Sequence, residues 1–440
     1  MILSNLYLII YALAWVWLFF QHKKKTIYFG GGTFLLILYI VFSVASIILF
    51  NQQDFVMGQS KGWDELYLLP LIYLFVALWF TSTPILNYDK SKIREIFPPN
   101  SVIVNAVAIV VIVSSMWSIL AHWEYIVEGL TLILLNADNA ADLYADKMDV
   151  YDNLSADLKG ANIFVLLLHY LYTLFHDFTI LLFFYYLTLN KSKIIAILLG
   201  LCTLFEILFS VSTGNRTGIL LPILTIATTY FVFSRFFGKD VRRKILIASS
   251  VVGSVLVLFF AIITFSRFND FSSGTQGSVI FYAGQANLNF DVYAFDNGGI
   301  RNGDRTAMLF KGWFDDKTPL NREDLLAKYP SIKITDGLFS TYIGDIMLDY
   351  GPIVATMIFL LFTLIANRIT RPKGQYMYFD QMIVLFFVVC ICSRGCMHLF
   401  DFSLKGGNWR MVGFLFMYLL FRFTREGRTV RTTNTRDYVS

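Results

Sequence analysis

The chain has 440 residues, of which 56% are hydrophobic and 15% charged, with 36 lysines and arginines against 31 aspartates and glutamates for a net charge of +5. A mean hydropathy of +0.60 with so few charges excludes a water-soluble globular protein. Strict apolar/polar alternation over strand-length segments is absent, which excludes a membrane β-barrel, and the scattered arginines form no nucleic-acid-binding patch.

A bilayer core about 30 Å thick needs about 20 mainly apolar residues per helical span. Stretches of that kind fall at 2–20, 27–50, 65–83, 101–122, 162–189, 194–212, 218–235, 245–265, 351–369, 379–398 and 409–423. The expected class is therefore all-α, a polytopic transmembrane bundle of about eleven spans. The run Ile2 to Phe20 lacks a basic leader and a small-residue cleavage site, so it is expected to stay in the mature protein.

Lysine and arginine near span ends mark the cytoplasmic side. They collect at Lys23 to Lys25, Lys90 to Arg94, Lys191 and Lys193, Arg235 to Lys244, Arg368 to Lys373, and Arg422 to Arg436. This pattern predicts an external N-terminus and a cytoplasmic C-terminus. Residues 1–265 would hold eight spans, 266–350 a large external loop, 351–423 three further spans, and 424–440 a polar tail.

Two external segments exceed simple connectors. Residues 123–161 carry eight acids against Lys147 and Lys159, and read as an acidic surface helix. Residues 266–350 combine glycines, asparagines, aromatics and arginines, so the chemistry is expected there. Cys202, Cys390, Cys392 and Cys396 all lie in apolar stretches, where they read as packing residues rather than as a metal site. No metal or cofactor is expected.

Ser212-Thr-Gly-Asn-Arg-Thr-Gly218 is a tight turn leading into a helix. Its amides and Arg216 suit an anion, or Arg216 anchors the interface. Arg267, in Phe265-Ser-Arg-Phe268, leaves the membrane on the same side and at a similar depth. Phe281 to Phe290 mixes aromatics with amides; Tyr282 and Asn287 suit a sugar, and a packed core suits the same composition. Arg301 and Arg305, like Asp345 and Asp349, are spaced for one helix face. Either acid can serve as a base or as a cap. Ionisable groups inside spans are costly and face a partner or cavity. Here they are His169, His176, Asp177, Glu206, Arg394 and His398, with Arg394 a counter-ion for Asp177 or Glu206, and His398 a candidate base near the outer end.

The Gly-Asn-Arg-Thr-Gly-Ile-Leu turn at 214–220, Ser-Arg-Phe at 266–268 and Thr-Tyr-Ile-Gly-Asp-Ile-Met-Leu-Asp-Tyr-Gly at 341–351, set among many spans and one late external loop, resemble the O-antigen polymerase family of Wzy type. The resemblance covers nearly the whole chain and rests on architecture and scattered arginines more than on a fixed string. It implies a metal-independent inner-membrane glycosyltransferase that polymerises undecaprenyl-pyrophosphate-linked oligosaccharide repeat units at the periplasmic face. A chain-length regulator and a flippase would be its partners. It further implies that Arg216 and Arg267, with Arg301 and Arg305 by loop position, hold the donor pyrophosphate and stabilise it as it leaves. His398 and Asp345 are the candidates for the group that receives the acceptor hydroxyl proton.

Three alternatives remain at this level. A lipid-monophosphate-dependent glycosyltransferase would be expected to show an acidic site in its first large external loop, where Asp54, Asp64 and Glu65 form no cluster. An O-antigen ligase would be expected to carry a histidine in the large loop, and none lies between Ser266 and Tyr350. A flippase or transporter for the same lipid would be expected to show internal repeats and matched broken helices, neither of which is legible.

Overall fold

The computed structural model describes residues 2–26, 28–52, 63, 65–136, 139, 142–143, 162–189, 192–268, 274–319, 321–333 and 341–425. The description is of backbone only for residues 260, 263–268, 274–279 and 322. Helices dominate: α1 (Ile2–Lys23), α2 (Gly31–Asn51), α3 (Leu68–Lys90), α4 (Ser101–Ala121), α5 (Trp123–Leu135), α6 (Ile163–Phe175), α7 (Phe178–Leu189), α8 (Lys193–Ser212), α9 (Arg216–Phe233) and α10 (Lys239–Phe268). There follow α11 (Gly274–Tyr293), α12 (Met308–Lys311), α13 (Arg322–Lys328), α14 (Tyr342–Thr370), α15 (Phe379–Gly395) and α16 (Leu404–Phe423).

Among the described residues, seven helices are long and apolar enough to cross a membrane: α1, α2, α3, α4, α8, α9 with the turn after it, and α14. They become eight if α6 and α7, which meet at 68° across His176 and Asp177, form one broken span. Helices also cover the remaining apolar stretches, but α15 has only 17 residues, and α16 includes Lys405, Arg410 and Arg422.

The bundle is apolar inside and out, as a membrane solvent allows. On α1, Leu8, Tyr11, Trp15 and Leu18 are buried at helical spacing, while Leu13 and Trp17 on the other face are 58% and 60% exposed. Such a two-sided helix is stable only where its exterior meets lipid. At the centre lies α15, in which only Val384 and Phe387 escape full burial; it packs against α3, α9, α14 and α16.

One end of the bundle gathers the basic residues. There the Asp89 carboxylate accepts the Thr33 amide at 2.9 Å, lies 3.4 Å from His22 Nε2 and 3.8 Å from Arg235, and so caps the N-terminus of α2. Its approach leaves no room at Gly30, where a Cβ would stand 2.2 Å from Asp89 Oδ1. Two short parallel strands, β1 (Glu95–Phe97) and β2 (Tyr376–Tyr378), tie the connections after α3 and α14 together at this end.

At the opposite end, part of the expected large external loop is helical. Residues 274–293 form α11, which packs along α2 so closely that a Cβ on Gly284 would meet Ala45 O at 2.7 Å. The segment from 123 starts as α5, seated on α8 through Ile126, Gly129 and Ile133, with Glu124 and Glu128 exposed. Most of the acids expected beyond it lie outside the described residues.

Candidate functional site

The first turn of α14 is fixed by Thr341, whose hydroxyl accepts the Gly344 amide at 3.2 Å. One and two turns on, Asp345 and Asp349 project from the same face, and both are fully buried. They meet Arg301 and Arg305, which are buried as well. Arg301 donates to Asp345 Oδ1 at 2.8 Å, its Nε forms an ion pair with Asp349 Oδ1 at 2.8 Å, and Arg305 is paired with Asp345 Oδ2. The remaining Asp349 oxygen takes the Thr306 amide at 2.6 Å. Two guanidiniums thus balance two carboxylates, the arrangement that makes burial of four charges tolerable.

This cluster grips the connection between α15 and α16. The Phe400 amide donates to Asp345 Oδ2 at 3.1 Å, and the Leu404 amide donates to Arg305 O at 2.8 Å. Asn408 closes the join by donating to Thr306 O and Phe402 O, both at 2.8 Å. Leu404 (φ 60) and Asn302 (φ 52) are the only described non-glycine residues with positive φ, and they stand at the two sides of this join. For a leucine that conformation is strained, and strain of this kind persists only where surrounding contacts over-determine it. A neighbouring charge, Asp304, is fully buried between Lys311, Lys328 at 2.6 Å and the Tyr329 hydroxyl at 2.7 Å. Burial alone would raise its carboxyl, but the two lysines and the phenol hold it below the usual range.

The far side of the same connection enters a second buried network. Arg394 at the end of α15 reaches Asp177 at 2.6 Å, Asp401 at 2.7 Å and Thr225 Oγ1 at 2.8 Å. Arg410 of α16 bonds Asp401 at 2.5 Å and lies 3.7 Å from Asp177. His176 extends the set to Glu206, 3.8 Å away. Asp401, outside the helices, would be raised by burial, yet Arg410 and Arg394 hold it below the usual carboxylate range.

His398 sits on the connection between these two networks and is half-buried, with Nδ1 3.2 Å from Leu399 O. Burial lowers its imidazole from the ordinary range, with Asp401 raising and Arg305 lowering it further. Arg216 opens α9 behind the cap that Asn215 makes to the Gly218 amide at 3.3 Å. It is only 2% exposed, with its guanidinium over the Tyr282 ring and bonded to that hydroxyl at 2.6 Å, so it is not an arginine reaching out to the interface.

The sequence expectations therefore divide. Arg301, Arg305, Asp345 and His398 come together, and Arg216 joins Tyr282. Arg301 and Arg305 meet carboxylates, which departs from the expectation of arginines open to a pyrophosphate. Both Asp345 oxygens are engaged, which suits positioning more than proton transfer. Asn287 bonds Ser46 at 3.0 Å and Tyr11 at 3.3 Å, as a helix-packing residue between α11, α2 and α1. Arg267 lies on the last turn of α10, and its side chain falls outside the described residues.

Arg394 does pair with Asp177, while Asp401 and Arg410 were not singled out in the sequence; Arg410, a charge near the start of an apolar stretch, was the signal available. Asp291 was missed too: it is buried, accepts the Tyr67 amide at 2.8 Å, and has its carboxyl pushed up to about 7 by burial. Among the described residues no group of three or more histidines, cysteines or acids stands close enough to hold a metal ion. Fold and site together define a helical membrane protein with buried ion-pair networks. No family model matches the chain, and no curated protein or solved structure is significantly similar to it.

Proposed function

We propose that the protein is a membrane glycosyltransferase that joins oligosaccharide units carried on undecaprenyl pyrophosphate, acting at the end of the bundle opposite its basic end. In this reading α10, α15, α16 and the α6–α7 pair also cross the bacterial inner membrane, for about eleven spans. The basic end faces the cytoplasm, with the N-terminus outside and the C-terminus inside.

The observation that carries the reading is a half-buried histidine on a strained connection clamped between two Arg/Asp networks, at the end where Arg216 is also buried. The sequence resemblance set out above supports it independently. The acceptor sugar hydroxyl attacks the anomeric carbon of the donor, the bond from that carbon to the pyrophosphate oxygen breaks, and the electron pair leaves with the pyrophosphate. With Nδ1–H assigned to Leu399 O, His398 Nε2 is the basic nitrogen and takes the hydroxyl proton. Arg216 supplies positive charge to the leaving group. Arg301, Arg305 and Asp345 hold the connection that carries His398.

The test is the length distribution of surface polysaccharide in a deletion strain complemented with wild type or with Arg216→Ala, at equal membrane levels of protein. Single repeat units in the deletion strain and in the Arg216→Ala strain are expected. Long chains in the deletion strain would end the polymerase reading for that pathway. Long chains with Arg216→Ala alone would move the anion site elsewhere.

One observation favours a second reading. The α6–α7 break carries buried Asp177 at its corner, and discontinuous helices with charged corners serve substrate or ion sites in transporters. A flippase would move labelled lipid-linked sugar across proteoliposomes without lengthening it.

A further inference from the structure

At the basic end, far from the two networks, a groove of about 630 Å³ opens between the last turns of α3 and α14. Pro84 lines it and has no N–H for the Phe80 carbonyl one turn earlier. The Thr83 hydroxyl takes that carbonyl instead, at 2.7 Å. A polar ladder follows across the helix pair: Asn367 donates to Thr83 Oγ1 at 2.8 Å, and Asn87 donates to Asn367 Oδ1 at 2.9 Å.

Above this polar floor stand Arg368 and Arg371, both exposed, and neither enters an ion pair among the described residues. The C-terminus of α14 would ordinarily repel an anion here. Gln381 offsets that by donating to Ile369 O at 2.7 Å and Arg371 O at 2.9 Å. On the bilayer side the wall is aliphatic, with Leu364 62% and Ile365 49% exposed.

We infer that this groove binds an anionic glycerophospholipid. Arg368 and Arg371 hold the phosphate, the Asn87–Asn367 amides face the glycerol and ester oxygens, and an acyl chain lies along Leu364. Cationic rim, amide floor and aliphatic wall follow one another in the order in which such a lipid presents its parts, and basic pockets between membrane helices are suited to anionic headgroups. The inference depends on the membrane reading of the bundle and not on the glycosyltransferase reading.

The test uses the full-length protein in neutral detergent, with phosphatidylglycerol, phosphatidylcholine and inorganic phosphate titrated separately and bound lipid read by native mass spectrometry. Phosphatidylglycerol is expected to bind most tightly, with Arg368→Gln/Arg371→Gln weakening it about thirtyfold. Lys24→Gln/Lys25→Gln, which removes the same charge at the same end, is expected to retain it, and Arg368→Lys/Arg371→Lys to restore most of it. Unchanged gel filtration and melting temperature identify folded variants. Equal losses in the two glutamine variants, equal binding of phosphatidylcholine, or displacement by millimolar inorganic phosphate would each overturn the site.

Discussion

The Phe400 amide donates to Asp345 Oδ2 at 3.1 Å, although the two residues lie 55 positions apart. Through this bond, and through Arg301 and Arg305, one carboxylate joins the segment after α11, the first turn of α14 and the connection that carries His398. Removing its charge takes one carboxylate from Arg305 and leaves Arg301 with Asp349. Asp345→Asn is therefore expected to cost about 3–5 kcal/mol, seen as a clear fall in melting temperature in detergent. Lost transfer with an unchanged melting temperature would instead mark Asp345 as a reacting group.

His398 makes the contrasting prediction. It is half-buried, with Nδ1 satisfied by Leu399 O, so His398→Gln, which keeps a side-chain donor, should lower the melting temperature less than Asp345→Asn does. Transfer should fall by about 10²- to 10⁴-fold, the usual worth of a general base. The base must be neutral to act, and burial lowers its proton affinity, so the acid limb of the rate profile should lie below the ordinary histidine value of 6.5. A limb above that value would reject His398 as the titrating group.

Arg394 and Asp177 test the second network. Arg394→Leu alone leaves Asp177 and Asp401 short of a cation in a buried setting and should lower both yield and melting temperature. Adding Asp177→Leu should recover part of the loss, because the interaction is mutual. Additive losses in the double variant would show that the pair is not coupled.

Asp291 links stability to pH. Its folded carboxyl is raised to about 7 by burial, while the unfolded one stays near 3.8. Between these values the folded state holds the extra proton, so stability is greatest at the acid end, declines as pH rises toward 7, and levels off above it. The full decline is on the order of 4 kcal/mol. Asp291→Asn keeps an acceptor for the Tyr67 amide and should flatten the profile between pH 5 and 8 in thermal melts, raising stability at the alkaline end. A wild-type profile already flat over that range would contradict the assignment.

Much of the fold was legible because apolar length and charge placement act locally. Twenty apolar residues must be helical wherever lipid surrounds them, and the arginine and lysine clusters do collect at one end. The pairing of Arg394 with Asp177 was legible for a related reason: a charge inside an apolar helix requires a partner, and few were available. The spacing of Asp345 and Asp349 likewise announced a shared face. What that face would meet was not encoded at any fixed offset.

Tertiary structure alone decided which charges neutralise which. Arg301 and Arg305 read as open donors until the fold set them against Asp345 and Asp349, and Asn287 read as a sugar contact until α11 packed on α2. The strained Leu404 and the 68° bend between α6 and α7 likewise depend on contacts made far away in sequence. Composition and periodicity determine that a segment enters the membrane, because that transfer energy sums residue by residue. Ion-pair partners and packing angles depend on distances between segments, and those exist only once the helices have assembled.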